Sequence, residues 1–251
     1  MERIPVWYPP PCPSPTRGEG MERECRWKMK HLVFPDDGAR LFRQALASDQ
    51  LRQLTSILSH LPPDHAGLRL RGVEGLARFL AAAGPIGSCA RSVLGEACHP
   101  VRAILFDKTA ATNWALGWHQ DRTIAVKARI PVDGFETWSV KSGMQHVEPP
   151  FALLSGMVTL RVHIDPVPAS NAPLLIAPGS HKLGRIPEED VKDVVRRCGT
   201  VACLADPGDI WLYATPILHA SDAATTPMHR RVLQVDFAVG ELPGGLEWLG
   251  V

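Results

Sequence analysis

The sequence predicts a mainly β fold, an antiparallel sandwich or jelly roll with helices packed on its N-terminal side. Three observations carry that expectation. From about Phe34 to Pro100 apolar residues recur at helical spacing, after Pro100 the period changes to two, and the strands so marked are short and punctuated by Gly and Pro. Many short strands with a single helix among them argue against a βαβ sheet.

The elements follow in order. Tyr8-Pro9-Pro10-Pro11-Cys12-Pro13-Ser14-Pro15, followed by Thr16-Arg17-Gly18-Glu19-Gly20, is too poor in contiguous apolar residues to fold and rich enough in proline to stay extended. Residues 1–30 therefore read as a disordered leader or an upstream extension, with Met21 or Met29 as the start of the working protein. Residues 31–251 read as one domain, helical over 31–100 with a jelly-roll core at 101–239. Leu51, Leu54, Leu58 and Leu61 form a helical stripe after a cap at Ser48, and Pro62-Pro63 stops it. A second helix is expected over Val73 to Ala83, ending at Gly84-Pro85. Strands are expected at Val101 to Phe106, Thr123 to Ile130, Met157 to Ile164, Leu174 to Ala177, Thr200 to Leu204, Ile210 to Tyr213, Ile217 to Ala220 and Arg231 to Val239. Val191, Val194, Val195 and Cys198 mark a helix over Glu188 to Cys198, closed by Gly199.

Composition excludes some function classes. The chain has 251 residues, 45% of them apolar, enough to bury a core as one domain. Its 27 basic and 26 acidic residues leave a net charge of +1, so no global field draws nucleic acid or an anionic membrane surface. No apolar run approaches the roughly 18 residues of a membrane span. The six cysteines form no C-x-x-C pair and no zinc spacing, and nothing at the N-terminus reads as a secretory segment. Reduced thiols and a cytoplasmic location follow as expectations.

The candidate chemistry lies in the β half. His119 and Asp121, at i and i+2 of an extended segment, point to the same side and can offer an imidazole and a carboxylate to one ion. His219 would complete a two-His, one-carboxylate face, which leaves adjacent positions open on a non-haem Fe(II), and Arg230 would anchor a dicarboxylate. Ten His and 26 acids predict about one accidental His-x-acid pair. Three occur, His146/Glu148 and His163/Asp165 being the others, and spacing alone does not choose among them.

Longer motifs do choose. Asn113-Trp114-Ala115-Leu116-Gly117-Trp118-His119-Gln120-Asp121 resembles the iron-binding strand of the phytanoyl-CoA dioxygenase family, whose members are Fe(II)- and 2-oxoglutarate-dependent oxygenases. Asn171-Ala172-Pro173-Leu174, running into Ala177-Pro178-Gly179-Ser180-His181, resembles the family's N-G-P-L and P-G-S-H hairpin. Gly208-Asp209-Ile210-Trp211 resembles the turn and strand before the distal histidine, here His219-Ala220-Ser221. Arg230-Arg231-Val232-Leu233-Gln234-Val235-Asp236-Phe237 resembles the strand whose first arginine holds 2-oxoglutarate. The resemblance spans about residues 101 to 239, in the family's order.

That resemblance implies a double-stranded β-helix, cupin-like core, Fe(2+) as the metal, 2-oxoglutarate as co-substrate and O2 as oxidant. His119, Asp121 and His219 would ligate the metal. Arg230 would hold the co-substrate, its planar fork matching a carboxylate, while Arg231 faces the other way. Ser221, two residues after His219, and Lys108 or Thr109 are further co-substrate candidates. The implied reaction hydroxylates an unactivated C–H bond of a small molecule and releases succinate and CO2. With Asp121 present, no small residue stands in its place to admit a halide, so hydroxylation is expected over halogenation. His163 is expected to be structural, while Arg161 on the same strand face can line the pocket. His146 falls in a Pro-rich loop near the substrate. Pro131 to Pro150, carrying Trp138, Lys141 and His146, reads as a lid over the barrel mouth or an ordinary surface loop.

Two departures stand out. Ala172 occupies the usual glycine of the N-G-P-L turn, awkward if that position needs a positive φ. The asparagine often found after the distal His-x-Ser is missing. No dense run of Lys or Arg suits the phosphates of an acyl-CoA. The rival readings are a Zn(II) hydrolase using the same ligands and a non-catalytic jelly-roll binding protein.

Overall fold

Alternation of side chains across a six-stranded antiparallel sheet organises the molecule. The structure, a computed structural model, describes residues 32–61 and 67–251, so the expected leader and the Pro62-Pro63 helix stop lie outside the described residues. The elements run α1 (Phe34–Asp37), β1 (Ala39–Phe42), α2 (Ser48–Leu58), β2 (Leu68–Leu70), α3 (Ala77–Leu80), α4 (Gly87–Leu94), β3 (Cys98–Lys108), β4 (Leu116–His119), β5 (Ile124–Val126), β6 (Glu136–Lys141), β7 (Met144–Glu148), α5 (Phe151–Ser155), β8 (Val158–His163), β9 (Leu174–Ile176), α6 (Val191–Cys198), β10 (Val201–Cys203), β11 (Ile210–Ala214), β12 (His219–Ser221) and β13 (Arg230–Val239). The major sheet has the order β1-β11-β8-β13-β3-β2, a second sheet β10-β9-β12-β4, and a third β5-β7-β6. The expected mainly β, antiparallel jelly roll is what the chain forms.

One face of the major sheet presents Leu105, Leu160, Val162, Ile210, Leu212, Leu233 and Val235, which pack with Leu54, Leu58, Leu80, Ile86 and Ala90 of the helical layer. Each buried aliphatic side chain there contributes about 1.5–3 kcal/mol. The opposite face carries Arg102, Lys108, Arg161, Arg230 and Gln234 and looks into a cavity beside the second sheet.

Several expectations need correction. The part before residue 100 is not purely helical, because β1 pairs with β11 and β2 with β3 at the two edges of the major sheet. The helix expected over Val73 to Ala83 shrinks to the single turn of α3, and α4 follows it. Gly84 and Gly87 sit so close to the preceding backbone that a Cβ would lie 2.3 Å from the Arg78 carbonyl oxygen and 2.0 Å from that of Ala81. That approach folds the chain back at the point where one continuous helix was expected. The helix at Ser48 takes Ala47 as its cap residue, with the Ala47 amide donating to Gln50 Oε1 at 2.9 Å. The strand at Thr123 to Ile130 stops at Val126, where the chain turns to bridge Trp248.

The segment from Pro131 to Pro150 is not a loop. It forms the β6–β7 hairpin, closed by Ser142 and Gly143 at φ +51° and +75°. Two consecutive left-handed residues make the tight turn whose twist matches paired strands. β7 then pairs with β5, which joins the hairpin to the strand that follows the candidate metal segment. Among the described residues no helix is long and apolar enough to cross a membrane.

Candidate metal centre

Pairing of β4 with β12 places His119 directly across from His219, their ring centroids 4.3 Å apart. Asp121 follows β4 at once. One ligand atom from each of His119, Asp121 and His219 lies within 4.8 Å of the others, the one such cluster of His, Cys or acidic groups among the described residues. Residues a hundred positions apart thus converge because two short strands are neighbours in one sheet.

The protonation of the cluster suits a metal. His119 Nδ1 sits 2.7 Å from the Gly117 carbonyl oxygen, and His219 Nδ1 sits 2.9 Å from that of Ile217. A carbonyl only accepts, so Nδ1 carries the proton in both rings and each Nε2 lone pair is left for an ion. Burial pushes His219 down to about 4, against the pull of Asp121, which leaves the ring neutral at neutral pH. Burial alone would raise the Asp121 carboxyl, but Arg102 and the two imidazoles outweigh it and hold it below the usual carboxylate range. Two imidazoles and one carboxylate are the donor set that suits Fe(II), and the residues present fit the ion.

Groups that sequence reasoning missed hold this cluster. Gln120 points away from both ligands, donates to the carbonyls of Gly184 and Pro216 at 3.0 and 2.8 Å, and accepts from the Ile186 amide at 2.9 Å. It pins the ligand segment from behind. Arg102 approaches Asp121 at 3.5 Å and Asp236 at 2.5 Å, while Asp236 also accepts from Thr159 at 3.0 Å. Asp121 is therefore oriented by a buried chain that reaches across the major sheet. The period-2 alternation could have put Arg102, Thr159 and Asp236 on one face, but no sequence signal gave their pairing.

The cluster opens onto a cavity of about 210 Å³. Arg230 and Lys108, cross-strand partners on β13 and β3, both line it. The Arg230 guanidinium donates to the Ala172 carbonyl, while its Nε is buried with no hydrogen-bond partner among the described residues. Burial, then the nearby Arg161, push Arg230 down to about 9, and burial, then Arg230 and Arg161, push Lys108 down to about 8. Among the described residues these cations have no carboxylate partner, and an anion would relieve them. Arg231 turns the other way and closes on Asp165, with Nη2 and Nε at 2.7 and 2.9 Å from the carboxylate oxygens. Ser221 lines the cavity beside Arg230, making only long bonds, 3.5 Å to Ala172 and 3.4 Å to Asp222.

The remaining expected site residues divide. Arg161 and Lys141 line the cavity. Thr109 does not, since its hydroxyl accepts from the Ala111 amide at 3.2 Å and caps the turn at Ala110–Thr112. Trp138 packs against a separate core of Ile124, Val126, Phe135 and Val147, with Arg129 5.5 Å over its ring. His146 sits fully buried on β7 and bonds the Met144 carbonyl at 3.0 Å, away from the main cavity. The hairpin that was expected to be a loop carries Trp138 and His146 inward to packing positions and leaves Lys141, near its tip, at the cavity. His163 is buried without a partner for either ring nitrogen among the described residues. Burial, then Arg161 and Arg230, push it down to about 3. Ala172 does adopt a positive φ, +50°.

This fold is that of the jelly-roll oxygenases. The chain belongs to the phytanoyl-CoA dioxygenase (PhyH) family, whose description matches residues 75–232. An ectoine dioxygenase from Sphingopyxis alaskensis is 27% identical over 173 residues, covering 60% of this chain and 50% of that protein. The chain thus spans about half the length of the curated relative it matches. The crystal structure of EctD from S. alaskensis with 2-oxoglutarate and 5-hydroxyectoine superposes with a TM-score of 0.61 at 21% identity, over 82% of this chain and 73% of that one. That of HygX from Streptomyces hygroscopicus, with nickel, 2-oxoglutarate and hygromycin B, gives 0.58 at 14% identity, over 82% and 84%.

Proposed function

We propose that the protein is a non-haem Fe(II)- and 2-oxoglutarate-dependent dioxygenase that hydroxylates an unactivated C–H bond of a small molecule. The observation that carries this reading is the coincidence, in one cavity, of the His119, Asp121 and His219 cluster with a buried arginine that has no carboxylate partner among the described residues. When bound, the ferrous ion with O2 and 2-oxoglutarate supplies the oxidising power, with succinate and CO2 as products.

The chain's own part is binding, orientation and exclusion of water. His119, Asp121 and His219 hold the metal from one side. Arg230 would hold a carboxylate of 2-oxoglutarate through charge-assisted bonds, with Lys108 adding a point charge and the Ser221 hydroxyl a neutral bond. Arg102 and Asp236 fix the Asp121 carboxylate, and Gln120 fixes the backbone between the first two ligands. Ile104, Phe106 and Leu174 supply an apolar wall on the same cavity. A Zn(II) hydrolase would have no use for the Arg230 and Lys108 pair. The solved relatives hold small molecules, 5-hydroxyectoine with EctD and hygromycin B with HygX, which supports a small-molecule substrate here. The free cysteines Cys89, Cys98, Cys198 and Cys203 support a reducing compartment, and we place the reaction in the cytoplasm.

Turnover tests the proposal. Purified protein should release succinate from 2-oxoglutarate only when Fe(II) and O2 are both supplied. Succinate release that persists with the metal chelated, or hydrolytic activity with Zn(II) in its place, would contradict it.

A further inference from the structure

Charge in the cavity exceeds what the metal and co-substrate need. Six cationic side chains line it, Arg69, Arg102, Lys108, Lys141, Arg161 and Arg230, against one carboxylate, Asp121. Sequence shows no dense basic run, because these residues come from β2, β3, β6, β8 and β13 and meet only in space. Ferrous ion and 2-oxoglutarate carry equal and opposite charge, so their arrival leaves the surplus unchanged.

Four of the six have duties. Arg102 is held by Asp236 and Asp121. Arg230 and Lys108 stand at the slot assigned to 2-oxoglutarate. Arg161 donates to Gln234 Oε1 at 2.9 Å and lies 5.3 Å over the Phe106 ring on that same side.

Arg69 and Lys141 remain. Neither makes an ion pair among the described residues. Arg69 donates to Ser142 Oγ at 3.1 Å, beside Lys141, which joins edge strand β2 to the tip of the β6–β7 hairpin at the cavity. Its Nε is buried and has no hydrogen-bond partner among the described residues. A buried donor left unpaired, next to a second cation, is costly unless something occupies the space between them. Burial, then like charge, lowers both groups, Arg102 acting on each and Arg69 on Lys141 as well, only partly offset at Lys141 by Asp121, and an anion would reverse that effect. Arg69 also lies before the family match, which begins at residue 75, so this cation comes from a part of the chain that the match does not cover.

We infer that the molecule hydroxylated here carries an anionic group, a carboxylate or a phosphate, which Arg69 and Lys141 hold beside the metal centre. The inference rests on the oxygenase reading and adds the class of substrate.

Anion binding to the loaded protein tests it without knowledge of the true substrate. Protein holding Fe(II) and 2-oxoglutarate under anaerobic conditions is titrated with methyl phosphate, acetate and neutral acetamide, following perturbation of the visible metal-to-ligand band and the heat of binding. At least one of the two anions should bind, the stronger naming the group, and acetamide should not. Arg69→Gln and Lys141→Gln should each weaken the anion by about tenfold, consistent with loss of one charged partner, whereas Lys127→Gln, a surface cation paired with Glu247, should not. Failure of both anions to bind, equal binding of acetamide, or unaltered affinity in the variants would overturn the inference. So would weakening of 2-oxoglutarate in parallel with the anion, which would place Arg69 and Lys141 at the co-substrate instead. Absence of the band in the wild-type protein marks the separate failure of the oxygenase reading.

Discussion

The two faces of the major sheet are built from the same strands and could hardly differ more. On β8, Leu160 and Val162 face the helices while Thr159, Arg161 and His163 face the cavity side; on β13, Leu233 and Val235 alternate with Gln234 and Asp236. The apolar face buries side chains at almost no polar cost. The other face holds cations away from water, several without a carboxylate partner among the described residues. Such a face is unfavourable in the empty protein, and the packing behind it offsets that cost, as expected where binding residues are set on a rigid element.

Substitutions on each face should therefore separate stability from binding. Leu160→Ala, fully buried at the centre of the apolar face, should lower unfolding free energy by about 2–5 kcal/mol in denaturant titrations, with 2-oxoglutarate affinity little altered where the protein stays folded. Arg230→Ala should do the reverse, weakening 2-oxoglutarate by about 2–5 kcal/mol with little loss of stability, the usual cost of truncating one partner of a buried charged contact. Arg231→Ala, which breaks the outward pair with Asp165, should leave that affinity nearly unchanged. Equal effects of the two arginine substitutions would mean that the alternation assigned to β13 is wrong.

Smaller effects sharpen the contrast. Burial and the neighbouring guanidiniums push Lys108 down to about 8 in the empty site, whereas Arg230 keeps its charge across the accessible range, and a bound dicarboxylate raises Lys108 again. The protonated ammonium favours the anion, so affinity for 2-oxoglutarate is full below about pH 7 and falls as pH rises through 8, by up to about tenfold per unit. A pH-independent dissociation constant across that window would remove Lys108 from the co-substrate slot. Smallest is Ala172→Gly. At φ +50° a Cβ costs about 1–2 kcal/mol, part of which is returned by the greater freedom of glycine in the unfolded chain, so thermal denaturation should show a gain of about 0.5–1 kcal/mol.

What the sequence made legible follows the same division. Alternation on β3, β8 and β13 marked the strands and sorted their residues by face, and four ordered motifs placed His119, Asp121, His219 and Arg230 at the candidate centre. Short elements escaped. β1 and β2, four and three residues long, have too few positions to show a period and are strands only because the sheet edge pairs with them. The β6–β7 hairpin did carry a signal, Ser142-Gly143 between two runs of strand-forming residues, but the prolines at either end drew attention to a loop. Arg69, Arg102 and Gln120 were not legible, since their partners lie far along the chain and are brought near only by sheet order. His163 and Asp165 illustrate the opposite error that spacing invites: an i, i+2 pair like the candidate ligands, yet Asp165 is spent on Arg231.

Spectroscopy decides where the metal sits. Anaerobic addition of Fe(II) and 2-oxoglutarate to wild-type protein and to His163→Ala should produce the weak visible band of the chelated ferrous ion, and His119→Ala should produce none. A band that survives His119→Ala and vanishes in His163→Ala, or no band in the wild type, would contradict the placement of the metal between β4 and β12.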